Sequence, residues 1–148
     1  MSIASIRTCR LLGATVAVIG CGSVGAPVAC ALAQAGVGRL ILVDSETLTW
    51  PNVGRHPLGA TTVGRNKAEA LAERLRADFP HLKVEHRACG LHQLIVHDED
   101  QLAAADMIVA ATGSWVAESA LILCWPDPGW IDAFSGDLDQ FAFEFGFE

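Results

Sequence analysis

The chain has 148 residues, 51% of them hydrophobic, and a formal net charge of -7 from 10 Lys and Arg against 17 Asp and Glu. That length suits one domain with a sizeable core, and the acidic balance argues against nucleic acid or an anionic membrane as partner, because both need an excess of Lys and Arg. No apolar run reaches the roughly 18 residues of a bilayer span, the amino terminus lacks signal-peptide order, and the five cysteines form no Cys-x-x-Cys pair, so a cytoplasmic protein with reduced thiols is expected.

Residues 1–14 read as an amino-terminal segment and 15–148 as one nucleotide-binding domain. The apolar run Ala14 to Ile19 predicts a buried strand, and Gly20-x-Gly22-x-x-Gly25 after it predicts a tight turn into a helix. In that turn Gly20 permits the bend, Gly22 lets a phosphate approach the backbone, and Gly25 lets helix and strand pack closely. The Ala-rich stretch Val24 to Ala35 is the helix, stopped by Gly36 and Gly38. Arg39 to Val43 is a second apolar strand closed by Asp44, a carboxylate placed where it can accept hydrogen bonds from ribose hydroxyls.

Pro51, Gly54, Pro57 and Gly59 make Ser45 to Thr62 a loop with at most one short helical turn. Val63 to Ala77 is an amphipathic helix, with Ala68, Leu71, Ala72 and Leu75 on its apolar face and Lys67, Glu69, Arg74 and Arg76 elsewhere. Pro80 ends it, and Leu82 to Arg87 alternates as a third strand. An acidic turn at His97-Asp98-Glu99-Asp100 opens a short helix to Ala105, with solvated carboxylates at its first turn rather than a metal site. Met107 to Ala111 is a fourth strand, Thr112-Gly113-Ser114 a second strand-to-helix turn, Trp115 to Cys124 a helix and Trp130 to Ala133 a fifth strand. This alternation predicts a Rossmann-like, doubly wound α/β fold: a mainly parallel sheet with helices on both faces.

Phe141, Phe143, Phe145 and Phe147 recur with the period of a strand, yet the chain stops there. They predict a strand that packs in a dimer interface or against further sequence, and a domain truncated at its carboxyl end. Trp115, Trp125 and Trp130 are expected in the core or at an interface, and Cys21, Cys89 and Cys124 to be structural rather than reactive.

Up to Asp44 an NAD-dependent oxidoreductase explains the pattern as well as an ATP-binding protein does. Asn52, Arg55 and Lys67 add an amide and two cations suited to a polyphosphate, which favours ATP. The segment Asn52-Val53-Gly54-Arg55-His56, followed by Gly64-Arg65-Asn66-Lys67-Ala68 and then Phe79-Pro80 and Val84 to His86, resembles the signature of the ThiF/MoeB family. Members of that family are adenylating domains related to ubiquitin-activating enzymes.

The resemblance spans about Thr15 to Ala111. It implies Gly20, Gly22 and Gly25 under the nucleotide, Asp44 on the ribose, and Asn52, Arg55 and Lys67 around the triphosphate, with Arg55 and Lys67 the catalytic pair. It further implies ATP and Mg2+, a ubiquitin-like or sulfur-carrier protein whose terminal glycine is adenylated, and a homodimer, to which Arg7 or Arg10 could lend a cation across the interface. The chain departs from the pattern at three places. Gly113 stands where the family keeps a metal-holding Asp, Glu46 where a second Asp is common, and His56 where Gln is usual. The missing Asp leaves the metal ligand unassigned and keeps open a third reading, a noncatalytic nucleotide-binding or dimerisation module.

Overall fold

In a computed structural model, which describes residues 11–97, 102–124 and 130–132, five strands form one parallel sheet. They are β1 (Thr15–Ile19), β2 (Arg39–Val43), β3 (Lys83–Arg87), β4 (Met107–Ala110) and β5 (Trp130–Asp132), in the order β3-β2-β1-β4-β5. Side chains alternate across each strand, so a parallel strand with apolar residues at successive positions feeds two cores. Val16, Val18, Leu40, Leu42, Val84 and Val109 face one side. There they pack with Ala29 and Ala33 of α1 (Gly25–Ala35) and with Leu71 and Leu75 of α2 (Lys67–Asp78).

Ala17, Ile19, Ile41, Val43, Ile108 and Ala110 face the other side. They meet Leu94 of α3 (Leu91–His97) and Leu121 of α4 (Trp115–Cys124). Helices thus cover both faces, as the alternation predicts. Because β1 lies between β2 and β4, the connections leaving β1 and β4 run in opposite directions, and a crevice opens at the carboxyl ends of these two strands.

Local chemistry sets most boundaries. Small alanines let α1 approach the sheet closely, and Gly36, at φ 89°, ends it as its amide bonds to Ala33 O. Helix α2 starts four residues later than the sequence suggests: Gly64 has φ 91°, a left-handed value no helix accommodates, and the Asn66 side chain caps the helix by accepting from Glu69 N at 3.0 Å. The loop before it holds two short 3-10 turns, Trp50–Arg55 and Ala60–Thr62, rather than one. Helix α3 was not anticipated from the sequence at all. Arg7, Arg10, the acidic turn at 98–100, Trp125 and the Phe141 to Phe147 ladder lie outside the described residues, as do the side chains of Trp115, Cys124 and Trp130.

Candidate nucleotide site

The glycine turn after β1 is shaped by two contacts that exclude side chains. A Cβ on Gly20, whose φ is 91°, would lie 2.3 Å from Ala111 O, and one on Gly25 would lie 1.8 Å from Gly20 O. Gly20 thus lets the turn pass against the end of β4, and Gly25 lets α1 start directly over the turn. Gly22 is different: a Cβ there meets nothing within 4 Å, because that residue faces an open cleft. Three glycines with one spacing therefore answer three separate demands.

Asp44 and His56 hold this turn from behind. Asp44 Oδ2 accepts from Cys21 N at 2.7 Å and Oδ1 accepts from Glu46 N at 2.7 Å, so the carboxylate ties the glycine turn to the loop after β2. His56, only 8% exposed, completes the clamp. Its Nδ1 accepts from Leu58 N at 3.2 Å, which puts the ring hydrogen on Nε2, and Nε2 donates to Cys21 O at 2.7 Å. Burial pushes the His56 pKa below its ordinary 6.5; Lys67 adds to that, while the bond to Cys21 and the charge of Asp44 oppose it. Cys21 itself is buried with its thiol pKa raised, chiefly by burial, so it packs and does not react.

The far wall comes from the loop and from α2. Gly22, Ser23, Val24, Glu46, Asn52, Arg55, His56, Lys67, Ala111, Thr112 and Gly113 line a solvent-open cleft of about 640 Å³. Arg55 is exposed on it, whereas Lys67 is 5% exposed, against the expectation that it lies on the polar face of its helix. Its ammonium is brought to Glu46, with Nζ 2.5 Å from Oε2, and the Glu46 side chain is 71% exposed. Asn52 lines the same cleft, but its Oδ1 accepts from Thr49 N and Oγ1 and so stabilises the 3-10 turn that carries Arg55. A second cleft of about 630 Å³ adjoins the first and shares Gly22, Glu46, Ala111 and Thr112 with it; Asp44, Cys89, Gly90 and Leu91 form its outer side.

The turn from β4 to α4 forms the floor common to both. Gly113, at φ 65°, brings no side chain to it. Glu118, 2% exposed and not foreseen as relevant, holds the turn: its Oε1 accepts from Thr112 N at 3.2 Å and from Thr112 Oγ1 at 2.8 Å. Its Oε2 has no hydrogen-bond partner among the described residues. A carboxylate one turn inside a helix whose only other polar residue is Ser119 is the available signal, since such a group must find a partner when buried.

Of the predicted nucleotide residues, Gly22, Asn52, Arg55 and Lys67 line the first cleft and Gly20, Gly22 and Asp44 the adjoining second, while Gly25 lines neither and packs beneath the turn. A divalent cation fits less well. No three of His, Cys, Asp and Glu come together among the described residues to hold it by protein groups alone, so a nucleotide-bound Mg2+ would depend on one or two carboxylates at the cleft. Of the two carboxylates on the adjoining clefts, Asp44 is engaged through both oxygens and Glu46 is paired with Lys67.

Comparison with known proteins gives the family and the fold. The ThiF family model matches residues 4–124. ATP-dependent ubiquitin transferase-like protein Cap2 of Pseudomonas aeruginosa is 35% identical over 107 residues, 70% of this chain and 19% of its own length. The SAMP-activating enzyme E1 of Haloferax volcanii is 34% identical over 72% of this chain and 39% of its own. The solved structure of E. coli tRNA N6-threonylcarbamoyladenosine dehydratase, TcdA, in complex with ATP superposes with a TM-score of 0.72 at 27% identity, covering 79% of this chain and 48% of that one. The chain thus spans half or less of each of these relatives, and it belongs to the ThiF family.

Proposed function

We propose that the two adjoining clefts bind ATP and that the chain is the adenylating part of an enzyme that activates a carboxylate as an acyl adenylate. The observation that carries this reading is the convergence of Arg55 and the buried Lys67 on the cleft that Gly22 opens. Two cations at the polyphosphate end exceed what a dinucleotide requires, and they stand where charge grows during attack on the α phosphorus. In that step a carboxylate oxygen bonds to the α phosphorus, the bond to the bridging oxygen breaks, and pyrophosphate leaves with the electron pair. Arg55, a planar fork of donors, and Lys67, a point charge, stabilise the oxygens that gain charge; no base is needed, because the nucleophile is already ionised.

Asp44 serves the ribose. Each of its oxygens has accepted one hydrogen bond and keeps a lone pair for a hydroxyl at the second cleft. Asn52 holds the turn under Arg55 and turns toward the phosphates. The acyl group is the carboxy-terminal glycine of a ubiquitin-like or sulfur-carrier protein; relatives named for ubiquitin transfer and for activation of SAMP support this class. A homodimer fits the same reading.

Calorimetric titration with ATP, AMP and NAD tests it. ATP should bind and NAD should not, and binding of NAD alone would overturn the reading. Arg55→Ala and Lys67→Ala should each lower ATP–pyrophosphate exchange by about 100-fold while changing AMP affinity by less than about threefold. Gly113 supports a second reading, a module that binds nucleotide without turnover: tight ATP binding with no exchange would select it.

A further inference from the structure

On the reading that the adjoining clefts take ATP, we propose that they take the nucleotide without a protein-held divalent cation, so that Mg2+ loosens ATP binding instead of tightening it. Among the described residues the polyphosphate end offers one carboxylate, Glu46, and that group is paired with Lys67. Gly113 contributes no ligand where a carboxylate would face the phosphates. Asp44 lies at the other end, on the cleft assigned to the ribose, with each oxygen already accepting one backbone amide. Glu118 is the only further acid bound to this turn among the described residues; its Oε1 is taken by Thr112, and although its Oε2 has no partner there, it lines neither cleft.

What the cleft does offer is positive: Lys67, Arg55 and the amide-rich start of α1, whose first turn carries no acid. A metal-free triphosphate presents all its charge to these groups. Once Mg2+ is bound, two of those charges are neutralised, the attraction to Lys67 and Arg55 falls, and no free carboxylate among the described residues lines the cleft to compensate. A ligand's gain or loss is set by such differential contacts alone. Glu46 belongs to the same account. Its exposed side chain holds Lys67 before ATP arrives and must release it, so it competes with the nucleotide for one ammonium.

The test is calorimetric titration of the full chain with ATP, once in EDTA and once in excess MgCl2, with Gly113→Asp, Glu46→Gln and Glu118→Gln alongside. A φ of 65° is one that Asp tolerates, so Gly113→Asp should fold, which a thermal melt checks. We expect ATP to bind at least about threefold tighter in EDTA, the scale of weakening the pairs that exposed Arg55 and buried Lys67 would make with the phosphates. Gly113→Asp should reverse that order, and Glu46→Gln should tighten binding in EDTA by about threefold by freeing Lys67. Equal or tighter binding with Mg2+ in the unaltered chain overturns the proposal, and loss of that Mg2+ gain in Glu118→Gln would name the acid responsible. Absence of ATP binding in both buffers overturns the ATP reading itself, an outcome distinct from any effect of Mg2+.

Discussion

Gly22 and Gly25 stand three residues apart and respond oppositely to an added methyl group. In Gly25→Ala the new Cβ would lie 1.8 Å from a backbone oxygen, which only movement of α1 can relieve. We expect a loss of about 2–3 kcal/mol, seen as a melting temperature lower by about 5–10 °C, together with loss of ATP binding. Gly22→Ala has open space, so its melting temperature should stay within about 2 °C while ATP affinity falls by tenfold or more, because the methyl enters the phosphate cleft. Equal destabilisation in the two variants would contradict this division. His56 adds a pH term. Its pKa is depressed in the folded chain, so above pH 6.5 the ring is neutral folded or unfolded and stability is complete; as pH falls from 6.5 toward the folded value, the unfolded chain takes up the proton first and stability declines. Protonation of Nδ1 also removes the acceptor for Leu58 N. His56→Gln, which can still donate to Cys21 O and accept from Leu58 N, should flatten the melting temperature between pH 7.5 and 5.5. An unchanged slope in that variant would assign the decline to other groups.

At the scale of elements, the start of α2 joins the two halves of the site. Asn66 Oδ1 caps the helix through Glu69 N, while its Nδ2 donates to Asp44 O at 2.8 Å and Glu46 O at 3.2 Å. Asn66→Asp keeps the cap and loses both donations; Asn66→Ala loses all three bonds. We expect Asn66→Ala to cost about 1–2 kcal/mol in denaturant unfolding, and Asn66→Asp to weaken ATP binding as much as Asn66→Ala does, since each frees the loop that bears Glu46. ATP affinity retained in Asn66→Asp would make the side chain a helix cap and nothing more. The sequence disclosed this helix, but not its start, because the apolar period runs back to Val63 and only the left-handed Gly64 excludes the first turn. Helix α3 was hidden for a different reason: Leu91–His97 is two turns long with no acid in its first turn, too short for periodicity to register. Its one local sign is Gln93, whose Oε1 reaches back to Gly90 N at 3.1 Å in the manner of a capping box. Strands and the glycine turn were legible because buried parallel strands are continuous apolar runs. The Lys67–Glu46 pair and the Glu118–Thr112 contact were not, since both depend on which side chains the folded loops bring together.

Over the whole molecule, a net charge of -7 accompanies a cleft that, on the proposed reading, binds its ligand through the local positive charge of Arg55 and Lys67. These two fields act over different distances, and salt separates them. If ATP binds as proposed, Lys67 and Arg55 would meet the phosphates at short range, where screening is weaker, whereas the acidic net charge would act on the approaching nucleotide from afar. Between 10 mM and 0.15 M salt the screening length shrinks from about 30 to about 8 Å, which removes the distant repulsion while leaving much of the contact attraction in place. The association rate of ATP should therefore rise with salt over this range, by about twofold, opposite to the fall seen where a surface steers its ligand in. The dissociation rate should rise as well, because Arg55 is exposed and its contact is partly screened. Stopped-flow mixing with a fluorescent ATP analogue resolves the two rates. Lys67→Ala should keep the upward salt trend in association and raise dissociation at every salt concentration, because Lys67 acts after arrival. An association rate that falls with salt in the unaltered chain, and loses that dependence in Lys67→Ala, would instead show that the cleft's own cations draw the nucleotide in.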